Sequence, residues 1–277
     1  MRNIEMNYYN VYYYCNIIDN LIGLFTSSLD WVRTGAQFTE PFFEENPACF
    51  PKYSALHAFC EFAIRQLMFE DAEDQITEIQ NKCNELKIAH KAKRLRIAFQ
   101  ESERGSCLLE VDHLFRMYGI AHETFFAYLI KNDFDDMVDA YSDFTCFDID
   151  LDQALEKLTR EVFYILFQNR ELLFRLNTYL ANANPWPAKR CSIPKWVKRA
   201  VKYRDRGRCV CCGKDLSGLL DCEDEASVHF DHIVSLHDGG LNDVSNIQLL
   251  CKECNLLKSA DSYTGITYKD WYDFDEK

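Results

Sequence analysis

No run of about 18 uncharged apolar residues occurs in the chain, which excludes an ordinary membrane-spanning helix. The first residues, MRNIEMNYYNVYYYCNIIDNLIGLF, lack a basic start, a compact apolar centre and a small-residue cleavage site, so no secretory signal is expected. Glycine and proline are scarce. Four of the 10 glycines lie before position 185 and six lie beyond 205, so turn-forming residues concentrate in the last part. The 6 prolines form two groups. Pro41, Pro47 and Pro51 punctuate an early loop, whereas Pro185, Pro187 and Pro194 mark a linker over 185–194, because proline neither continues a helix nor donates to a sheet. There is no internal repeat or low-complexity tract. His57, His90, His113 and His122 show no ligand spacing and read as core or surface histidines.

With 48% apolar and 14% aromatic residues, the chain can bury a sizeable core and is not disordered. The net charge of −13 argues, as an average, against a nucleic-acid partner. Cysteine is abundant, and 13 is an odd number that cannot pair fully within one chain. With no signal expected, the reading is cytoplasmic, a setting in which clustered cysteines more often bind metal than form disulfides.

Residues 52–182 carry a helical pattern. Leu56, Phe59, Ala63 and Leu67 recur at spacings of three and four, as do Ile76, Ile79, Cys83 and Leu86 in a segment running from acidic to basic, an order that suits the helix dipole. Leu151, Leu155, Leu158, Val162 and Ile165 line another long candidate that runs to Asn182. Shorter candidates lie near 108–131 and 133–141, and the tyrosine-rich start is read as helix. The fold class expected is mainly α. A helical domain over 1–184 is followed by the linker 185–194 and a small zinc domain over 195–277.

The charge is not evenly spread. Residues 189–214 hold ten Lys/Arg and a single acid, Asp205, for +9. Pro194 can open a helix there and Gly207 can end it. Such an arm suits phosphate contact, although a charge run is also compatible with a solvated face. It leads into Cys209-x-x-Cys212-Gly213, and Cys251-x-x-Cys254 follows. Two such pairs supply the four thiolates that a tetrahedral structural zinc needs. Cys211 and Cys222 are rivals, with Cys211 disfavoured because it breaks the spacing. Between the pairs, VHFDHIV is a strand candidate carrying Asp231 and His232, HDGG is a turn at Gly239 and Gly240, and VSNIQLL is a second strand with Asn246. CKECNLLKSA then opens a helix bearing Asn255 and Lys258 on one face.

The set Cys209–Cys212, Asp231–His232, Gly239–Gly240, Asn246, Cys251–Cys254, Asn255 and Lys258 resembles the HNH endonuclease family in its four-cysteine form, over about residues 195–260. The resemblance implies a ββα-metal finger, in agreement with the order strand, loop, strand, helix. It implies His232 as the base that activates water, and Asn246 as the residue whose side-chain carbonyl orients that base. Asp231 and Asn255 are implied to bind a catalytic divalent cation, Mg²⁺ or Mn²⁺ given oxygen donors. Neighbours on a regular strand face opposite ways, so a twist or bulge is expected to bring Asp231 and His232 into one cavity. Lys258, Arg206 and Arg208 are expected phosphate contacts. His229 and His237 are either further site residues or plain neighbours.

The leading function is a metal-dependent DNA endonuclease, read further as a phage-defence or restriction effector. The acidic helical domain would bind a partner protein or a second copy, and no membrane is involved. The alternative is a non-catalytic zinc-stabilised module that binds nucleic acid or protein. A thiol oxidoreductase is the weaker third reading, because two CxxC pairs at this spacing suit zinc.

Overall fold

The computed structural model describes residues 6–24, 29–102, 105–145, 149–187, 189–218 and 228–258. Among them are eleven α-helices and one two-stranded sheet, so the mainly α expectation and the small C-terminal ββα finger both hold. Helices α1 (Val11–Leu24), α2 (Leu29–Phe42), α3 (Ala55–Glu85), α4 (Lys91–Glu101), α5 (Glu110–Met117), α6 (Phe125–Lys131) and α7 (Met137–Thr145) come first. Helices α8 (Ile149–Leu166), α9 (Arg170–Ala183) and α10 (Lys195–Arg204) follow, then β1 (Val228–His232), β2 (Ile247–Cys251) and α11 (Lys252–Lys258).

Helix boundaries differ from the sequence expectation at four places. The segments on either side of Glu70 form one helix, α3, because no glycine, proline or cap interrupts them. That helix stops at Glu85, and His90 restarts the chain as α4 by accepting a hydrogen bond from Lys93 N at 3.3 Å. The long candidate ending at Asn182 is broken at Phe167–Asn169. Asn169 caps α9 by accepting from Leu172 N at 3.1 Å. Pro41 lies in the last turn of α2 rather than in a loop.

The chain divides into two compact units. One comprises Met1–Tyr14 with Cys60–Val162. Its core is the stripe Ile64, Met68, Ala72, Ile76, Ile79 and Cys83 of α3, together with Leu95, Phe99, Leu114, Phe125 and Leu129, all buried. Two buried carboxylates hold its tyrosine-rich edge. Glu110 accepts from the Tyr8 and Tyr9 hydroxyls, and Glu161 accepts from Asn7 N and Tyr8 N. These partners meet the requirement that a buried charge be hydrogen-bonded.

The second unit comprises Cys15–Phe59 with Phe163–Lys277. It contains the finger, and its helical parts are bonded to the finger's loop. Asp243 is buried, and its Oδ2 accepts from Ala55 N at 2.9 Å, which caps the first turn of α3 from a distant point in sequence. Phe50 N donates to Asn242 O at 2.8 Å, and Asn184 Nδ2 donates to Gly239 O at 2.9 Å. The proline-rich segment is also fastened. Trp186 Nε1 donates to Phe43 O at 3.1 Å, and Cys191 forms a disulfide with Cys49 across 142 residues, with Cα atoms 6.4 Å apart. That pairing lies outside the reading of the cysteines as reduced or metal-bound.

Candidate zinc knuckles and phosphodiester cleft

The two CxxC pairs converge. The sulfurs of Cys209, Cys212, Cys251 and Cys254 all lie within 4.8 Å of one another, and Cys212 Sγ stands 3.7 Å from Cys251 Sγ. Sulfurs bound tetrahedrally at the usual zinc–thiolate length are about 3.8 Å apart, so the spacing fits the ion. Backbone geometry explains the convergence. Gly213 adopts φ 75° and donates to Cys209 O at 2.8 Å, which folds the first knuckle back on itself. Val210 N then donates to Leu249 O at 3.0 Å and ties the knuckle to β2, whose last residue is Cys251. Burial, with a smaller push from neighbouring groups including the other cysteines of the cluster, raises the Cys251 thiol to about 11 and also raises Cys254. Four ionised sulfurs at this distance need a compensating cation. Cys211 is exposed and stands outside the tetrad, as its spacing suggested. Cys222 lies outside the described residues.

The catalytic candidates sit around an open cleft of about 540 Å³, whose lining includes Arg190, Phe230, Asp231, His232, Ser235 and Lys258. Asp231 and His232 therefore reach one cavity, but not through a bulge. Strand β1 pairs with β2 residue for residue from Val228 opposite Cys251 to His232 opposite Ile247. His232 is the last residue of the strand, and the chain turns at once as Ile233 N donates to Asn246 O at 2.6 Å. The cleft wraps around this strand end.

His232 is oriented by Asn242. Its Nε2 lies 3.2 Å from Asn242 Oδ1, while Asn242 Nδ2 donates to Lys189 O at 2.6 Å. The second bond fixes the amide, so an oxygen faces the ring and Nε2 must carry the proton. The neutral ring then keeps its lone pair on Nδ1. Burial holds the imidazole below its ordinary value, against the opposing pull of Asn242 and Asp231, so the neutral form dominates near pH 7.

Asn246 takes a different place from the one expected. It is fully buried, and its side-chain hydrogen bonds go to Val234 and Leu241 rather than to the His232 ring. Its Oδ1 accepts from Val234 N at 2.8 Å, and its Nδ2 donates to Val234 O at 3.0 Å and Leu241 O at 2.9 Å. It braces the loop after His232, and the side-chain carbonyl that faces the His232 ring belongs to Asn242. Lys258 also turns inward. It is buried, and its Nζ donates to Asp231 Oδ2 and to His232 O, each at 2.7 Å. Asn255 stands one turn earlier on α11, half-buried, and is not part of the cleft lining.

Arg206 and Arg208 are exposed near the first knuckle rather than in the cleft, and Arg208 Nη1 donates to Gly213 O at 3.2 Å. His237 lines the cleft and lies 3.2 Å from Asp238 Oδ1, whereas His229 does not line it. Sequence reasoning missed Asn242, Arg190, Phe230 and Ser235. Asn242 lies only four residues before Asn246, yet nothing in its spacing distinguishes the two amides. Arg190 belongs to the basic run already noted.

No curated protein and no solved structure matches the chain. Residues 209–261 match the family model described as HNH endonuclease, and the C-terminal part of this chain, with its four-cysteine cluster and ββα finger, carries an HNH endonuclease domain.

Proposed function

We propose that the protein is a metal-dependent endonuclease that hydrolyses phosphodiester bonds in DNA. The observation that carries this reading is the His232–Asn242–Lys189 chain of hydrogen bonds, which leaves Nδ1 unprotonated on a ring that lines an open cleft together with Asp231. A neutral, oriented imidazole is what a general base for water requires near neutral pH. Asp231 supports the same reading. Its Oδ2 is held by Lys258, while its side chain stays 29% exposed to the cleft. Asp231, with Asn255 from α11, would hold Mg²⁺ or Mn²⁺, and the bound cation would offset charge on the scissile phosphate. Lys258 steadies Asp231 and the backbone of His232 instead of meeting phosphate directly.

In this reading Asn246 keeps the 233–246 loop closed so that the base stays in place, and the zinc knuckles hold β2 and α11 in register. The cytoplasm suits an enzyme of this kind. A role as a phage-defence or restriction effector, restrained by a partner protein or a second copy through the helical region, is the extension we favour, supported by that region's acidic charge. The alternative, a non-catalytic zinc-stabilised binding module, draws support from the Asp231–Lys258 ion pair, because that pair neutralises the carboxylate without a cation. Plasmid nicking in Mg²⁺ or Mn²⁺, wild type against His232→Ala, decides between them. The nuclease reading expects nicking that the substitution abolishes while zinc stays bound. No nicking by the zinc-loaded wild type favours the binding module.

A further inference from the structure

Helix α10 has two different sides. Val197, Val201 and Arg204 are buried, and Arg204 is matched by Asp205, with side-chain exposures of 1% and 0%. The opposite side carries Lys195, Lys198, Arg199 and Lys202, all exposed. Among the described residues none of these four takes part in a salt bridge. Some exposed cations elsewhere in the chain are paired, Arg65 with Glu61 and Asp152, Lys131 with Glu123, and Arg175 with Glu171, whereas Lys87, Lys93, Arg116 and Arg160 stand singly and are not gathered on one helix face. Lys202 Nζ also donates to Ser217 O at 3.5 Å and interacts with the Asp215 carboxylate, while all four cations share one exposed helix face.

The face also connects to the cleft. Lys198 Nζ stands 5.7 Å from the ring centroid of Phe230, a residue of the cleft lining, and Arg190 lines the cleft itself. At the start of α10 another exposed cation joins it, since Lys52 Nζ lies 3.8 Å over the Trp196 ring. From Lys195 to Lys202 the helix rises about 10 Å, which matches roughly three phosphates along one strand of a duplex. Exposed cations in such a row attract a line of phosphates and release the counterions bound to them.

We propose that the exposed face of α10 is a backbone-tracking surface that holds the DNA strand flanking the bond presented to the cleft. The occupant is duplex DNA, recognised by its phosphates and not by base edges. This rests on the nuclease reading for the choice of DNA. It shifts the main phosphate contacts from Arg206 and Arg208 to Lys198, Arg199 and Lys202.

The test uses the full-length, zinc-loaded chain in a His232→Ala background, with a fluorescent 20-base-pair duplex and binding followed from 50 to 300 mM salt. Replacing Lys198, Arg199 and Lys202 together by serine should flatten the slope of log affinity against log salt by about 2.7, from a loss of three contacts at roughly 0.9 each. Affinity near 100 mM salt should fall at least tenfold. The charge-preserving set Lys198→Arg, Arg199→Lys and Lys202→Arg should keep the original slope, which separates charge from folding. A double Lys82→Ser, Lys131→Ser control should leave binding unchanged. An unchanged slope in the triple serine variant overturns the proposal. So does triple-dependent binding to poly-glutamate or anionic vesicles with none to duplex. The two readings fail separately. Triple-dependent DNA binding by a wild-type chain that never nicks plasmid keeps the surface and removes the nuclease. Nicking with unchanged KM in the triple serine variant keeps the nuclease and removes the surface.

Discussion

Asn242 accepts a hydrogen bond from His232 Nε2 at 3.2 Å while its own amide proton is given to Lys189 O at 2.6 Å. Each bond determines the meaning of the other, because an amide held at its nitrogen end can offer only oxygen to the ring. Asn242→Leu should therefore lower the nicking rate by about tenfold or more, within the range that a positioned base contributes. Asn242→Asp keeps an acceptor for the ring but loses the donor to Lys189 O, so it should recover only part of the rate. Rates measured beside zinc content separate this effect from a loss of fold, and a Leu variant as fast as wild type would remove the positioning role.

Removal of the imidazole itself should cost more. His232→Ala should reduce nicking by about 10²- to 10⁴-fold while zinc binding is retained. The pH dependence follows from the lowered imidazole value. Burial keeps the folded-state ring neutral below the ordinary value of about 6.5. Activity should therefore persist below pH 6.5 before it falls. Stability behaves consistently: as pH drops through about 6.5 the unfolded chain takes up a proton that the folded chain resists, so the His232 contribution to stability falls on acidification. A pH–rate profile whose acid limb lies above 6.5 contradicts the assignment.

The zinc prediction discriminates between two adjacent cysteines. Cys212→Ser should lose one equivalent of zinc and lower the melting temperature of the full chain, because metal binding and folding of such knuckles are coupled. Cys211→Ser should keep its zinc. Metal analysis with thermal melts reads both, and equal zinc in the two variants would place the sulfur ligands elsewhere.

Asp243 is a stability residue whose effect is visible only across the sequence. Asp243→Ala removes the acceptor for Ala55 N and for Ser245 N, the second at 2.8 Å. The expected loss is about 1–3 kcal/mol, combining a lost helix cap with a buried donor left unsatisfied. Denaturant unfolding at neutral pH measures it, and a change under 0.5 kcal/mol would mean that the loop closes around the gap.

The parts of the site that were legible in the sequence are those fixed by short spacings. The four cysteines, Asp231 with His232, and Lys258 one turn after Asn255 are each set by a turn, strand or helix that the local sequence specifies. Asn246 was recognisable as important, but its partners were not, because Val234 and Leu241 reach it through the folded loop. Asn242 had no local signature at all. Its role depends on Lys189, 53 residues away. The helices show the same division: the buried stripe through Ile76, Ile79 and Cys83 was readable from its period. The restarts after Glu85 and Leu166 are set by single polar caps, His90 and Asn169, which an apolar pattern running on past them does not reveal.

The hydrogen bond from Ala55 to Asp243 also limits how portable the finger is. A fragment beginning at Lys195 would retain all four cysteines, both strands and the base. It would lose Ala55 N, Phe50 N and Asn184, which hold three successive points of the loop beside that base. The recognisable motif is thus smaller than the cooperative piece needed to keep it in shape. Transplanting this nuclease segment onto another carrier would mean bringing along residues from more than 100 positions upstream.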